Sequence, residues 1–507
     1  MKKNKVTIIV ILMFLAAGLA ADFTVKETQA RSYGKAVTKI AGGGNYGIYH
    51  KVSRKGPSGR FTTTRYFRHS QIQSKKYLAT KQGNYWDIII DGREVGWVNQ
   101  NFFVRSKIAV APEVSLVNNS GDNFNTRDAI NYATDSQGTA VDASKVRVSK
   151  ATVSAGTPGS TTIRYRYGKA KASSQVTVRA SKNEGIVQAN QIPKTGPKAV
   201  ATWKGSSKSS SHNWNAAHNY QFETKANTFR ANGLTLRTKL FQPRFFSLDY
   251  NLAADRMGQV GVIPEGITVH DKTFTVSLFS SNSSLNGHLV SYNLNRIGKF
   301  QAQNIPNMKW STFVKCASNV KVSPYIKLGH GQSLGSSGKY IYVMANNNKN
   351  KNSGASEEIM RVRKSDLQVN KIWTFRIANG DSPRYIHNAT FVGDNTMYCL
   401  FHNASRGSYE YWKVTRSGNT WTPVEVGATG SDFISNGSPV QGFTYDSNSD
   451  QFYIAFNDYI FKVAKDGTYQ KTYRLHAKRE IEGLSVANSK LYVEFAQRSE
   501  LTQGKIN

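Results

Sequence analysis

PVQGFTYDSNSDQFYIAFN at residues 439–457 and EIEGLSVANSKLYVEFAQ at 480–497 follow one plan. Each opens on a polar and a small residue, runs into an apolar strand, turns on Asn, Asp or Ser, and returns as an aromatic strand. The plan recurs in PEGITVHDKTFTVSLFS from Pro264, HGQSLGSSGKYIYVMAN from His330 and IHNATFVGDNTMYCLFHN from Ile386. The polar heads are Glu265, Gln332, Asn388 (or His387), Gln441 and Glu482, and they lie 67, 56, 53 and 41 residues apart. A two-strand phrase repeated at that spacing predicts the inner strands of a β-propeller. The count is five blades, or six if residues 234–252 hide a further phrase. Little chain follows the last phrase, so its blade needs outer strands from elsewhere. Residues 220–235 could supply them and close the ring.

Innermost propeller strands line a central channel, so equivalent positions form a ring at one mouth. Glu265, Gln332, Asn388, Gln441 and Glu482 are expected to meet there, with His330 and His387 beside them. Two carboxylates and three amides could hold a sugar or a cation; calcium is the metal such oxygen donors suit. The same residues could instead bond channel water and strand ends. No catalytic residue is assigned, because paired carboxylates indicate glycoside hydrolysis only at particular separations.

The rest of the chain is also all-β, written in short β-branched and aromatic runs such as TTIRYRYG (161–168) and QVTVRA (175–180). Five stretches are expected: a signal peptide (1–30), a basic aromatic segment (31–107), a Val/Thr/Ala/Ser-rich segment (108–181), a polar linker (182–213) and the propeller (214–507). Within 108–181, short alternating strands are separated by turn signals. That segment resembles a bacterial immunoglobulin-like β-sandwich, which implies a spacer. IPKTG (192–196) resembles a sortase signal but is followed by more than 300 polar and strand-forming residues, so it is read as linker.

Charge bears on partners. The chain has 67 Lys and Arg against 32 Asp and Glu, a formal net charge of +35. Such a surplus attracts polyanions. The segment from Arg31 to Ala111 alone has 15 cations and 3 acids. Within it, NYWDIIIDGREVGWVNQNFF (84–103) reads as strand, Asp-Gly turn, strand. Trp86, Asp91, Gly92, Gly96 and Trp97, with the upstream strand IYHKV (48–52), resemble the GW module, a small barrel of the Src-homology-three type. The resemblance implies non-covalent attachment to teichoic or lipoteichoic acid or another anionic polysaccharide. Lys51, Arg54, Lys55, Arg60, Arg65, Arg68, Lys75, Lys76, Lys81 and Arg93 are the candidate polyanion contacts, acting by counterion release. Trp97 is expected to pack in the barrel core.

Lys2, Lys3 and Lys5 precede an apolar run, VTIIVILMFLAAGLAA (6–21), the pattern of a secretory signal peptide. Cleavage-type small residues stand at 19–21 and at 28–30, and the choice stays open. No later stretch is apolar enough to span a bilayer. Only Cys316 and Cys399 are present, both in strand-like runs, which excludes a disulfide scaffold and leaves their pairing open. An exported, cysteine-poor, basic chain fits a Gram-positive wall-associated protein, with nucleic acid excluded as partner.

HGQ (330–332), VQGF (440–443) and EIEGL (480–484) resemble phrases of the helveticin J family, bacteriocin-type propellers of lactobacilli. That resemblance implies an extracellular protein acting on or binding other bacterial envelopes. The leading reading is a secreted wall-tethered binding protein whose propeller recognises an envelope or carbohydrate ligand. Two alternatives stay open: a wall-glycan or polymer hydrolase using Glu265 and Glu482, and an adhesin for host glycosaminoglycans. Oligomeric state is not legible.

Overall fold

A computed structural model describes residues 30–90, 92–181, 226–242, 263–279, 285–297, 308–345, 355–379, 382–404, 407–429, 433, 440–477, 479–496 and 499–506. The signal-peptide run, the IPKTG stretch and Asp91 lie outside them.

All five repeated phrases become paired strands. Ile263–His270 with Thr273–Phe279, Ser333–Ser336 with Tyr340–Met344, Asn388–Val392 with Thr396–Asn403, Gly442–Asp446 with Gln451–Phe456, and Ile481–Ala487 with Lys490–Phe495 are each antiparallel hairpins. Each hairpin extends outward by further antiparallel strands into a blade. The first strands of the five phrases neighbour one another in a ring. In the last blade the outer strands are Leu234–Phe241 and Thr228–Ala231, laid beside Glu500–Lys505. The ring is therefore closed by the start of the region, slightly later than residues 220–235. Leu234–Phe241 belongs to this fifth blade, and the described residues form five blades.

The barrel has six strands in the order Arg31–Ile40, Gln71–Thr80, Gly83–Ile90, Arg93–Asn99, Gly47–Ser53, Gly56–Thr63. Ile90 pairs with Arg93 across a two-residue turn, and Gly92 takes φ 78°, as an Asp-Gly hairpin requires. Gly96 has φ 129°, and a Cβ there would lie 2.8 Å from the Tyr49 carbonyl oxygen. Glycine lets the strand Gly47–Ser53 close the barrel at this point. Trp86 is 1% exposed; its Nε1 donates to Gln100 Oε1 at 3.0 Å, and its ring lies against Tyr33 and Tyr77. Trp97 is only half-buried, so the core role expected of it falls to Trp86 and its neighbours.

The middle segment departs from a spacer that separates two ends. Glu113–Leu116 pairs in parallel with Ala170–Val178 on one side and with Val369–Phe375, the outer strand of the second blade, on the other. One sheet thus runs from the middle segment into the propeller. Buried Asn131 clamps it, donating to the Val369 carbonyl at 2.9 Å and accepting from the Val369 N–H at 2.7 Å. Lys327 of the propeller reaches Asp128 and Glu358 at 3.0 and 3.2 Å. Burial opposes its charge, but the two carboxylates outweigh that and hold the ammonium protonated.

The barrel docks on the propeller as well. His69 bridges Val322, and the Ser70 N–H donates to the Val322 carbonyl at 3.1 Å. Phe67 meets Phe313, and Phe61 meets Trp310, on the helix Trp310–Asn319. This helix corrects the strand-like reading of Cys316: Phe313, Cys316 and Ala317 are helically spaced and buried on one face. Cys316 and Cys399 are both free thiols.

Candidate functional site

Two regions gather the residues singled out by sequence. The first is the channel mouth. Gln332 Nε2 donates to Gln441 Oε1 at 2.5 Å. These residues head the second and fourth blades, so their bond reaches past the third. Gln441 in turn donates to Glu480 Oε1 of the fifth blade, and Glu265 of the first is bonded to Gln332. Four blades are thereby tied through their inner-strand heads. Asn388 stays within the wall: it is buried and accepts from Ser333 Oγ at 3.0 Å. His330 Nε2 lies 3.8 Å from Glu265 Oε2. His387 is held in its own blade, its Nδ1 accepting from the His402 N–H at 3.1 Å and its ring against Phe401.

Electrostatics define what this mouth can do. Burial, then repulsion from Glu480, pushes the Glu265 carboxyl up to about 8, against the lowering effect of the Gln332 bond. Glu482 is raised well above the carboxylate range by burial and by Glu265, Glu480 and Glu494. Burial raises Glu480, and raises Glu494 strongly. Glu265, Glu482 and Glu494, raised furthest, hold protons that they can donate in hydrogen bonds, while Glu480, which repels Glu265, accepts from Gln441. Such a surface suits hydroxyls and amides better than calcium. No group of three or more His, Cys, Asp or Glu among the described residues is arranged to hold a metal. Glu265 Oε2 and Asn388 Nδ2 are buried with no hydrogen-bond partner among the described residues, so solvent is the fitting partner for Asn388 inside the wall.

The repeated phrase puts Glu482 at the fifth head; the structure adds Glu480, which bonds Gln441, and Glu494, which acts on Glu482. The register shifts between Ile481 and Gly483, and it is Glu480 that meets Gln441. Its signal was present, since Glu480 opens the EIEGL phrase two residues before Glu482.

The second region is the basic face of the barrel. Lys51, Arg54, Lys55, Arg60, Arg65, Arg68, Lys75 and Lys81 are exposed. The turn after Gly47–Ser53 carries Arg54 and Lys55, and the Lys81 N–H donates to the Arg54 carbonyl at 2.9 Å. Lys51, Arg54, Lys55 and Lys81 therefore share one end. Two candidates serve other ends. Lys76 is paired with Asp87 at 3.2 Å and Glu94 at 3.6 Å, and Arg93 donates to the Met308 carbonyl while lying over Trp310 and Phe313.

Comparison with known proteins bears on this geometry. Residues 30–103 match the GW (Gly-Tryp) dipeptide domain, and residues 119–178 match the bacterial Ig-like domain (group 3). These domains mark a cell-wall-associated binding protein, here carrying a propeller-like domain. No curated protein matches the chain. Among solved structures, the Cps50 (Swd1) β-propeller domain of Myceliophteria thermophila is 10% identical over 48% of this chain and 64% of its own, with a TM-score of 0.25. Virginiamycin B lyase from Staphylococcus aureus is 16% identical over 48% of this chain and 70% of its own, at 0.24. BamB from Moraxella catarrhalis is 11% identical over 58% of this chain and 97% of its own, at 0.26. No helix among the described residues is long and apolar enough to cross a membrane.

Proposed function

We propose that the chain is exported and held on the wall non-covalently, by the barrel's cations on a teichoic-type polyanion, while the propeller mouth binds a hydroxyl-rich ligand. The observation that carries the reading is the charge imbalance of the barrel. Fifteen cations face three acids between Arg31 and Ala111, and one acid, Asp87, is buried against Lys76. Such a surplus cannot be neutralised within the barrel, so a polyanion that releases its condensed counterions is the fitting partner. Protonated Glu265 and Glu482, with the amides of Gln332 and Gln441, add a hydrogen-bonding site that suits a sugar.

The test is binding of the full chain to purified walls with and without teichoic acids, across a salt series. Binding confined to polymer-bearing walls and released by salt supports the tether. Equal, salt-resistant binding to stripped walls overturns it and moves attachment to the propeller. Preference for heparin-type chains over wall polymer would favour a host adhesin. Killing of other bacteria, as the helveticin J likeness implies, is read in the same preparation by viable counts. The hydrolase alternative has one observation behind it: Glu265 keeps its proton near neutrality, as a general acid would. Release of soluble sugar from walls, abolished by Glu265→Gln with binding intact, would establish it.

A further inference from the structure

Where the barrel meets the first two blades, the surface forms a half-open cavity of about 390 Å³, within the size range of small-molecule sites. Four cations line it: Arg68 from the barrel, Arg296 and Lys321 from the first blade, and Lys364 from the second. Its other lining residues, Thr273, Ser291, Tyr292, Asn293, Ser318 and Asn319, include no acid. The position of Arg68 is fixed, because the adjoining His69 and Ser70 are bonded to Val322, next to Lys321. Lys321 is fixed too: its strand pairs with Ser291, and its Nζ donates to the carbonyls of Lys364 at 2.9 Å and Ser365 at 3.3 Å. Lys364 donates to the Ser337 carbonyl.

The surroundings do not cancel this charge. Burial and the neighbouring Arg68 lower the pKa of Lys321, which Asp366 only partly offsets. Asp366 is itself paired with Arg363 at 2.7 Å. Asp271 and Asp394 act on Lys364, where burial is the stronger influence and lowers its pKa. The C-terminal end of the helix Trp310–Asn319 also borders the cavity. A helix end carries about half an elementary charge, too little to balance four cations. Ser318 and Asn319 turn their donors back to their own helix, at 2.6 and 2.8 Å. Donors that can face a guest are two guanidinium forks, ammonium groups, the Asn293 amide and the Thr273 hydroxyl. That set suits a tetrahedral oxyanion, which offers acceptors on every side; a carboxylate has only two oxygens to offer.

We infer that this cavity binds a phosphate-type oxyanion, either free inorganic phosphate or a phosphodiester of a polymer chain. The polymer case rests on the proposed wall tether; the free-ion case does not. In both, one anion is shared by three elements and locks the barrel to the propeller.

The experiment uses the full chain with two probes, inorganic phosphate and a short glycerol-phosphate oligomer, in thermal-shift and calorimetric titrations at constant ionic strength. Variants are Arg68→Gln and Arg296→Gln, both exposed and so expected to fold, with Lys169→Gln, exposed on a hairpin turn of the middle segment and outside both proposed sites, as a control. Saturable stabilisation by either probe, weakened about ten-fold by each cavity variant and unchanged in the control, supports the site. Phosphate alone acting identifies a free-ion site; the oligomer binding more tightly identifies a polymer subsite. Stabilisation that chloride reproduces, or that both cavity variants retain, overturns it. Loss of wall binding in Lys51→Gln/Lys55→Gln, with phosphate binding kept, would support a cavity separate from the tether.

Discussion

In the barrel, Lys51, Arg54, Lys55 and Lys81 stand in solvent around two hairpin ends; in the propeller, Glu265, Glu480, Glu482 and Glu494 are buried on the first and fifth blades. Exposed charges keep their charge and act over a Debye length, so they attract a polyanion without fine geometry. Buried acids of one sign, here Glu265, Glu482 and Glu494, give up their charge and become short-range donors. The same chain thus carries a diffuse, salt-sensitive surface and a compact, pH-sensitive one. The difference follows from placement: these barrel hairpin ends project into solvent, and the inner blade strands pack these acids against their neighbours.

The sharpest way to break this contrast is Trp86→Ala. If Trp86 is core, the substitution opens a cavity and removes the Gln100 bond, costing about 3–5 kcal/mol. Chemical denaturation followed by tryptophan fluorescence would show the barrel melting early. Lost wall binding with unchanged stability would instead make Trp86 a contact residue and remove the division between packing and binding.

Next in size is the combined change of Lys51, Arg54, Lys55 and Lys81 to Gln. Polymer-bearing walls should bind about 100-fold more weakly at low salt, and the slope of log K against log salt should flatten by about 3. Folding should be unaffected, because these side chains are exposed. An unchanged slope would place the polyanion elsewhere on the molecule.

Much of this organisation was legible in the sequence because local patterns carry it. A two-strand phrase repeated five times specifies five inner hairpins, and Asp91-Gly92 between alternating strands specifies the barrel hairpin whose register is seen at Ile90 and Arg93. What escaped notice depends on long-range pairing. Glu113 opposite Lys371 joins the middle segment to the second blade across more than 250 residues, and neither strand announces its partner. Arg93 counts as one more cation in sequence, yet packing against Trp310 and Phe313 gives it to an interface. The helix Trp310–Asn319 was findable from the spacing of Phe313, Cys316 and Ala317. The short run FVKCAS taken alone reads equally well as strand. The choice of Glu482 over Glu480 turned on one irregularity in register, which composition does not reveal.

Titration gives a smaller effect that sharpens the contrast. Glu265 is raised from 4.5 to about 8 in the folded protein. Its folded form therefore holds a proton that the unfolded form has lost across that window. The resulting stability is full below about pH 4.5 and is lost as pH rises through 8. Melting temperature should fall over this range, and Glu265→Gln should flatten the fall and raise the alkaline melting point by roughly 2–4 °C. A flat wild-type profile would mean that the mouth is solvated and its acids ionised.

The barrel carries one buried group that titrates in the opposite sense, and it gives the smallest predicted effect. Lys39 is wholly buried where the barrel meets the middle segment. Its Nζ lies 3.2 Å from the centre of the Trp86 ring and donates to the Gln137 carbonyl at 3.1 Å and Thr139 Oγ1 at 3.0 Å. Burial lowers its pKa from 10.5 to about 7, with Asp135 opposing. Between those values the unfolded chain binds a proton that the folded chain does not, so this residue makes stability rise with pH. Lys39→Met removes the buried charge together with two hydrogen bonds and a cation–π contact. These contributions offset one another, and net stability at pH 6 should change by less than about 1 kcal/mol. The rise above pH 7 should shrink by the share that Lys39 contributes, leaving the propeller's decline and the rise from Lys321 and Lys364, whose pKa values burial also lowers. If the variant keeps the full wild-type rise, the ammonium is solvated in the native protein, and the junction between barrel and middle segment opens more readily than its hydrogen bonds imply.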